Sequence, residues 1–328
     1  MLDQKFIWQP YIALQSATTT QHLLHTCYKK LGVEDAEKKS YENSYPFIYY
    51  LEHGQSYYQL ASQASLSIKP VLLFYGMVQL LKACLLTVDP QYPESTSVLA
   101  HGVSTRKRKK QGYEFLQDEV KVQKNGLFTH FSDKMFHVKH FEAEKFAMDR
   151  LLKNIPELNN LFLLHYQKEP SIKAIEAPKQ PLCLPIGLLD AFHMTLGRFE
   201  NYIKETLPDL ILKPEHDNQE HKSQITFMLE SGTNLAPLNC SPLLYHMYEE
   251  SYYFPKDREQ IMIFPEVMVH YLLLYNLSMI SRYETEWWSE LLHSYSSNDY
   301  PFIQQFISVT SDKIPYLLYQ FLKEKIVP

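Results

Sequence analysis

Five consecutive cations, Arg106, Lys107, Arg108, Lys109 and Lys110, form the densest charge feature of the chain. Side by side they repel one another, so they belong in a solvated loop unless something negative neutralises them. A phosphate-rich ligand, RNA or an acidic protein surface would do so, which makes the run a candidate anion-binding element. The plainer reading is a loop kept soluble by its own charge. Just upstream stands His101-Gly102, and before that an apolar run at 71–86 is interrupted by Gln79 and Lys82. Tyr75, Gln79 and Lys82 follow at i, i+4 and i+7, one face of a helix. A second apolar run, at 267–280, carries Tyr271, Tyr275, Ser278 and Arg282 at i, i+4, i+7 and i+11. Two such helices packed together would turn these stripes into one polar cleft. There His101 would serve as acid or base, with Lys82 or Arg282 steadying negative charge. The competing reading is a set of internal hydrogen bonds that only hold the helices in register.

Other chemistries are excluded by missing residues. The 9 glycines form no G-x-G-x-x-G, no G-x-x-x-x-G-K-[ST] and no G-x-S-x-G, and H-E-x-x-H is absent as well, so no cofactor is expected. His130, Asp133, His137 and His140 fall near one another, as do His216 and His221, but 14 histidines produce such neighbours by chance. No metal site is expected, because a real one needs three or four ligands in a fixed geometry. Cys27, Cys84, Cys183 and Cys240 lie far apart without C-x-x-C spacing, and MLDQKFIWQP lacks the pattern of a signal peptide. Reduced thiols and a cytoplasmic location are the expectation. A formal net charge of −5 argues against a whole-surface nucleic-acid binder, so DNA is not expected while a local basic patch stays open. No membrane association is expected either: a span needs about 20 largely apolar residues, and both apolar runs fall short.

The elements that must position these residues are mostly helices. The chain has 24 Tyr and 18 Phe but few glycines, which suits an aromatic core with bonded hydroxyls rather than a turn-rich β fold. Helical spacing runs over 16–31, with Gly32 closing it, and a second helix begins near Ser44 with Pro46 in its first turn. Pro70 opens a helix that Asp89-Pro90 stops at about residue 88. Asn125-Gly126, inside EVKVQKNGLFTHF, is a strong hairpin signal. Two short helices separated at Pro156 fill 142–166, a proline-containing linker covers 167–185, and one helix runs from 187 to 207. The stretch 213–262 is the least regular, with a strand at 224–229. Pro265 starts the second core helix, Trp287 and Trp288 belong to its continuation or to a further helix, and 302–306 and 314–322 form two shorter ones. The expected fold is mainly α, a helical bundle core with a small inserted β-hairpin. It is read as a single large helical domain over 1–328, with core helices at about 70–88 and 265–284 and an irregular middle insertion at about 112–262.

Three stretches, SYENSYPFIYYLEHGQSYY at 40–58, KPVLLFYGMVQLLKACLLTVDPQYPESTSVLAHGVSTRKRKKQ at 69–111 and FPEVMVHYLLLYNLSMISRYETEWWSELL at 264–292, resemble the YaaC-like family, and the likeness spans nearly the whole chain. The resemblance implies no particular reaction. Because genes of that family often neighbour the gene for IMP dehydrogenase, it implies a context in guanine-nucleotide metabolism. More weakly, FYGMVQLLKACLL followed by His101-Gly102 is similar to HEPN-type helical bundles. HEPN ribonucleases place an arginine four to six residues before a histidine, and no arginine here has that spacing, so this likeness implies a binding-only relative. The leading expectation is a non-enzymatic binding or regulatory module for a partner protein, a nucleotide or RNA. The alternatives are a HEPN-like enzyme acting on RNA or a phosphorylated substrate, and a scaffold or inhibitor of a metabolic enzyme such as IMP dehydrogenase.

Overall fold

The computed structural model describes the chain except residues 1–3, 107–111, 140–143, 176–180, 207–211, 215–223, 230–234, 263, 296 and 327–328. It is mainly α, with small antiparallel sheets, as expected from composition. Two compact units emerge: residues 1–151 with 267–328, and residues 152–266.

The first unit is helical. It contains α1 (Gln4–Ile12), α2 (Ala17–Lys30), α3 (Ala36–Gln63), α4 (Lys69–Leu86), β1 (Val103–Ser104), β2 (Glu119–Val122), α5 (Leu127–Phe136), β3 (Lys145–Ala147) and most of α6 (Met148–Leu152). Ser16 caps α2 by accepting the Thr19 N–H, and Gly32 follows the helix at φ 72°, as the residue pattern anticipates. The second helix starts earlier than Ser44, at Ala36, with Pro46 inside it. Pro46 and Glu42, whose carbonyl loses its helical partner, both lie on the exposed face, where water replaces the missing bond.

Helix α4 sits at the centre, with Leu73, Phe74, Met77, Leu80, Leu81, Cys84 and Leu85 fully buried. It packs closely against α3, with a glycine at the contact on each side. A Cβ on Gly54 would stand 2.7 Å from Leu80 Cδ2, and one on Gly76 would stand 2.8 Å from the Tyr58 ring. By length and composition α4 does meet the requirement of a membrane span, contrary to the expectation from its polar interruptions, and 67% of that window is buried inside the fold.

In the second unit, α7 (Asn159–Tyr166), α8 (Leu188–Ala191) and α9 (Leu196–Thr206) accompany two three-stranded antiparallel sheets. One sheet orders β4 (Ser171–Ile175), β9 (Ser251–Pro255) and β8 (Leu244–His246); the other orders β5 (Leu182–Pro185), β7 (Gln224–Leu229) and β6 (Leu212–Pro214). The strand at 224–229 is present, but the supposed linker at 167–185 contributes two more strands. Their prolines lie at or near strand ends, where no ladder bond is lost. The single helix expected at 187–207 is broken, because His193 adopts φ 52° between α8 and α9. Phe192, Phe199 and Phe254 pack as the aromatic centre of this unit.

The chain then returns to the first unit with α10 (Glu266–Tyr283), α11 (Thr285–Ser294) and α12 (Asp299–Ile326). The two short helices expected near the C-terminal end are one, continuous through Pro315, whose carbonyl accepts the buried Tyr11 hydroxyl at 2.7 Å. Helix α12 packs on α4 and α1. Inside α10, His270 bonds Thr310 of α12 at 2.8 Å, and Asn276 donates to Asp118 at 2.9 Å.

Strands β1, β2 and β3 form an antiparallel sheet in this order, with Val103 opposite Val122 and Val120 opposite Phe146. The hairpin expected at Asn125-Gly126 is not formed: β2 pairs with strands on either side of it, and Gly126 leads into α5 instead. Leu127, Phe128, Phe131 and Met135 bury one helical face, and that periodicity outweighs the turn dipeptide.

Candidate functional site

Phe74 of α4 brings the two core helices together. Its ring lies 5.2 Å from Tyr271 and 5.6 Å from Tyr275 of α10, both edge-on. The ring of His101 enters the same cluster, 5.0 Å from Phe74, 6.0 Å from Tyr75 and 5.8 Å from Tyr275. Backbone contacts hold it there. The His101 carbonyl accepts the Tyr271 hydroxyl at 2.8 Å and the Phe128 N–H at 3.2 Å. The next residue, Gly102, has φ 76° and touches Gly126 so closely that a Cβ on Gly126 would stand 2.3 Å from the Gly102 Cα. No side chain fits between these two turns, so residues 100–102 are pressed against the start of α5.

Burial lowers the His101 pKa below the ordinary histidine value, and the charges of Arg282 and Lys82 push it further in the same direction. The neutral imidazole is therefore favoured. Lys82 is half-buried, its pKa lowered by burial, and its ammonium lies 5.5 Å from the centre of the Tyr50 ring. Arg282 donates Nε to the Ser278 carbonyl at 2.9 Å, directs Nη2 to the Met279 sulfur at 3.1 Å and lies 5.3 Å from the Tyr283 ring. Among the described residues neither cation has a carboxylate partner. Gln79, between Tyr75 and Lys82 on the same face, buries an Oε1 that also lacks a partner among the described residues. An unneutralised cation on each helix beside a neutral histidine is suited to receive an anion.

Not every residue of the two stripes takes part. Tyr271 is buried and its hydroxyl is engaged by the His101 carbonyl, so it positions rather than binds. The Ser278 hydroxyl turns back to the Tyr275 carbonyl at 2.8 Å. Tyr75, Gln79, Lys82, His101, Tyr275 and Arg282 carry the groups left for a ligand.

Of the basic run, Arg106 is exposed and lines a polar cavity of 310 Å³ with Ser104, Lys121, Lys145, Asp118 and Glu119. Lys107, Arg108, Lys109 and Lys110 lie outside the described residues, as do His140, His216 and His221. Among the described residues no group of three or more His, Cys, Asp or Glu could hold a metal ion. His137 ends α5 in the left-handed conformation, and His130 is bonded to Asp89 at 2.7 Å. That last pairing is unreadable in sequence, where Asp89 looks like a helix stop.

A family model described as YaaC-like Protein matches residues 12–322. Comparison with curated proteins and with solved structures returns no match.

Proposed function

The chain belongs to the YaaC-like family, a membership that carries no reaction with it, and we propose that it is a non-enzymatic binding module whose cleft at Lys82, His101 and Arg282 takes a nucleotide. The observation that supports this is the pair of half-buried cations, one from each core helix, that lack a carboxylate partner among the described residues and whose charges both lower the His101 pKa. A guanidinium and an ammonium together satisfy phosphate oxygens, the first as a fork and the second as a point charge. The half-buried Tyr75 ring beside His101 offers flat apolar surface for a base. The basic run at 106–110 then supplies long-range attraction that weakens with salt. The family context makes guanine nucleotides the first ligands to test.

Equilibrium titration with a fluorescent guanine nucleotide, an adenine counterpart and a single-stranded RNA oligomer tests the reading. Losing one charge-assisted contact costs about 1.5–3 kcal/mol, so K82A or R282A should weaken nucleotide binding by about 10- to 100-fold. Replacing Arg106 with Glu should flatten the salt dependence with a smaller loss. Unchanged affinity in both K82A and R282A, or binding of RNA alone, defeats the nucleotide reading.

One observation favours a second reading, an enzyme acting on a phosphorylated substrate: His101 is held in the form that can accept a proton. Turnover of a nucleotide that disappears in H101A while binding persists would support it, and turnover that survives in H101A would remove His101 from the chemistry.

A further inference from the structure

A polar cavity lined by none of the residues proposed above for the nucleotide contains a histidine already clamped by a carboxylate. The cavity measures 330 Å³, and Lys124, Asn125, Thr129, His130, Asp133 and Lys139 line it. His130, on α5, places Nε2 2.7 Å from Oδ2 of Asp89, in the turn that ends α4. Asp89 is 4% exposed, and its other oxygen takes the Gln91 N–H at 3.2 Å. Burial alone would raise the Asp89 pKa, but the His130 hydrogen bond and the charge of Lys134 outweigh it and hold the carboxylate below its usual range. An ionised Asp89 accepts, so Nε2 is the nitrogen that donates to it, and Nδ1 is left over.

That nitrogen is the informative atom. The His130 side chain is only 10% exposed and its ring lies against Tyr92, with centroids 5.5 Å apart, yet Nδ1 has no hydrogen-bond partner among the described residues. A histidine serving only to tie α5 to the end of α4 needs a single bond and no cavity beside it. Here the imidazole is fixed in orientation by one nitrogen while the other is unengaged in a residue that forms a cavity wall.

The neighbouring groups define the ligand. Lys124 and Lys139 contribute ammonium groups and Asn125 an amide to the same cavity. Asp133 is the carboxylate in the wall, and it lies 3.7 Å from Lys139. The Thr129 hydroxyl is engaged by the Gly126 carbonyl at 3.1 Å. Several cationic and N–H donors around an oriented imidazole suit a doubly charged tetrahedral oxyanion better than a neutral molecule. We propose that this cavity is a second binding site, for a phosphate dianion, free or as a monoester, with His130 taking up a proton on binding so that Nδ1 donates to the anion while Nε2 donates to Asp89, Asp89 fixing the ring, and Lys124 and Lys139 balancing charge.

The test uses the full chain with ¹⁵N-labelled histidine, titrated separately with inorganic phosphate and with O-phosphoserine while ring ¹⁵N shifts are followed by NMR. One histidine should shift saturably, with its resonance missing in H130Q. The tighter of the two ligands identifies whether the free ion or the monoester is preferred. K139A, whose side chain is 65% exposed and outside the core, should keep the fold and weaken binding by about fivefold. K82A should leave this titration unchanged, which separates failure here from failure of the nucleotide cleft. No saturable histidine shift with either ligand overturns the proposal. So does an affinity that K139A leaves untouched, even if H130Q proves too unstable to use.

Discussion

Removing the buried hydroxyl behind His101 tests how that residue is held. In Tyr271→Phe the ring stays and no cavity opens, so the change is confined to a hydrogen bond of 2.8 Å from a fully buried phenol to the His101 carbonyl. That carbonyl keeps its second donor, the Phe128 N–H at 3.2 Å. The cost is therefore the net value of one bond, about 0.5–1.5 kcal/mol, and not the larger penalty of an orphaned buried acceptor. Tyr275→Phe is the control, because its hydroxyl donates to no described residue, and its cost should be near zero. Urea unfolding followed by tryptophan fluorescence isolates the relevant part of the chain, since Trp8, Trp287 and Trp288 are its 3 tryptophans and all belong to the unit that contains the cleft. The midpoint should fall for Y271F and stay for Y275F. Nucleotide affinity should also fall in Y271F, although Tyr271 itself is sealed from the cleft. Equal midpoints for Y271F and wild type, or a larger loss in Y275F, would refute the claim that this bond seats the histidine.

Two further outcomes follow from packing and charge. Gly76→Ala should destabilise by about 1 kcal/mol, because overpacking against the rigid Tyr58 ring exceeds the helix-propensity gain of about 1 kcal/mol, whereas Gly54→Ala should be close to neutral, since it meets the movable end of Leu80; the same urea series ranks them, and the reverse order contradicts the packing argument. Because the His101 pKa is lowered in the fold, the folded chain binds that proton less readily than the unfolded chain. Stability should thus hold above the ordinary histidine value, about 6.5, and decline as pH falls below it, and H101Q should lose that part of the decline. Identical pH profiles for wild type and H101Q would exclude the linkage.

Much of the proposed cleft is legible along the chain because a buried helix shows its polar residues by contrast. Tyr75, Gln79 and Lys82 stand out against an apolar background, as do Tyr271, Tyr275 and Arg282, and the stripe periodicity puts them on common faces. Contacts that join distant segments leave no such trace. Asp89 and His130 meet across 41 positions, and neither has a local pattern that announces the other. Spacing does not reveal that the Ser278 hydroxyl turns back on its own helix. Local signals also lose to tertiary demands. Asn125-Gly126 has the composition of a hairpin turn, but four apolar residues on one face of α5 need a core to cover them. The strands at 171–175 and 182–185 are too short, and too close to prolines, for alternation to rise above chance.

The order in which a ribosome makes these helices has its own consequence. Helix α4 is synthesised long before α12, which packs on it, and before α10, whose rings close over Phe74; the whole stretch 152–266 is translated in between. During that interval a nascent rod apolar enough to enter a lipid bilayer stands partly uncovered. Apolar surface left open at that stage favours aggregation, and the ring cluster that seats His101 is complete only once α10 has emerged and docked.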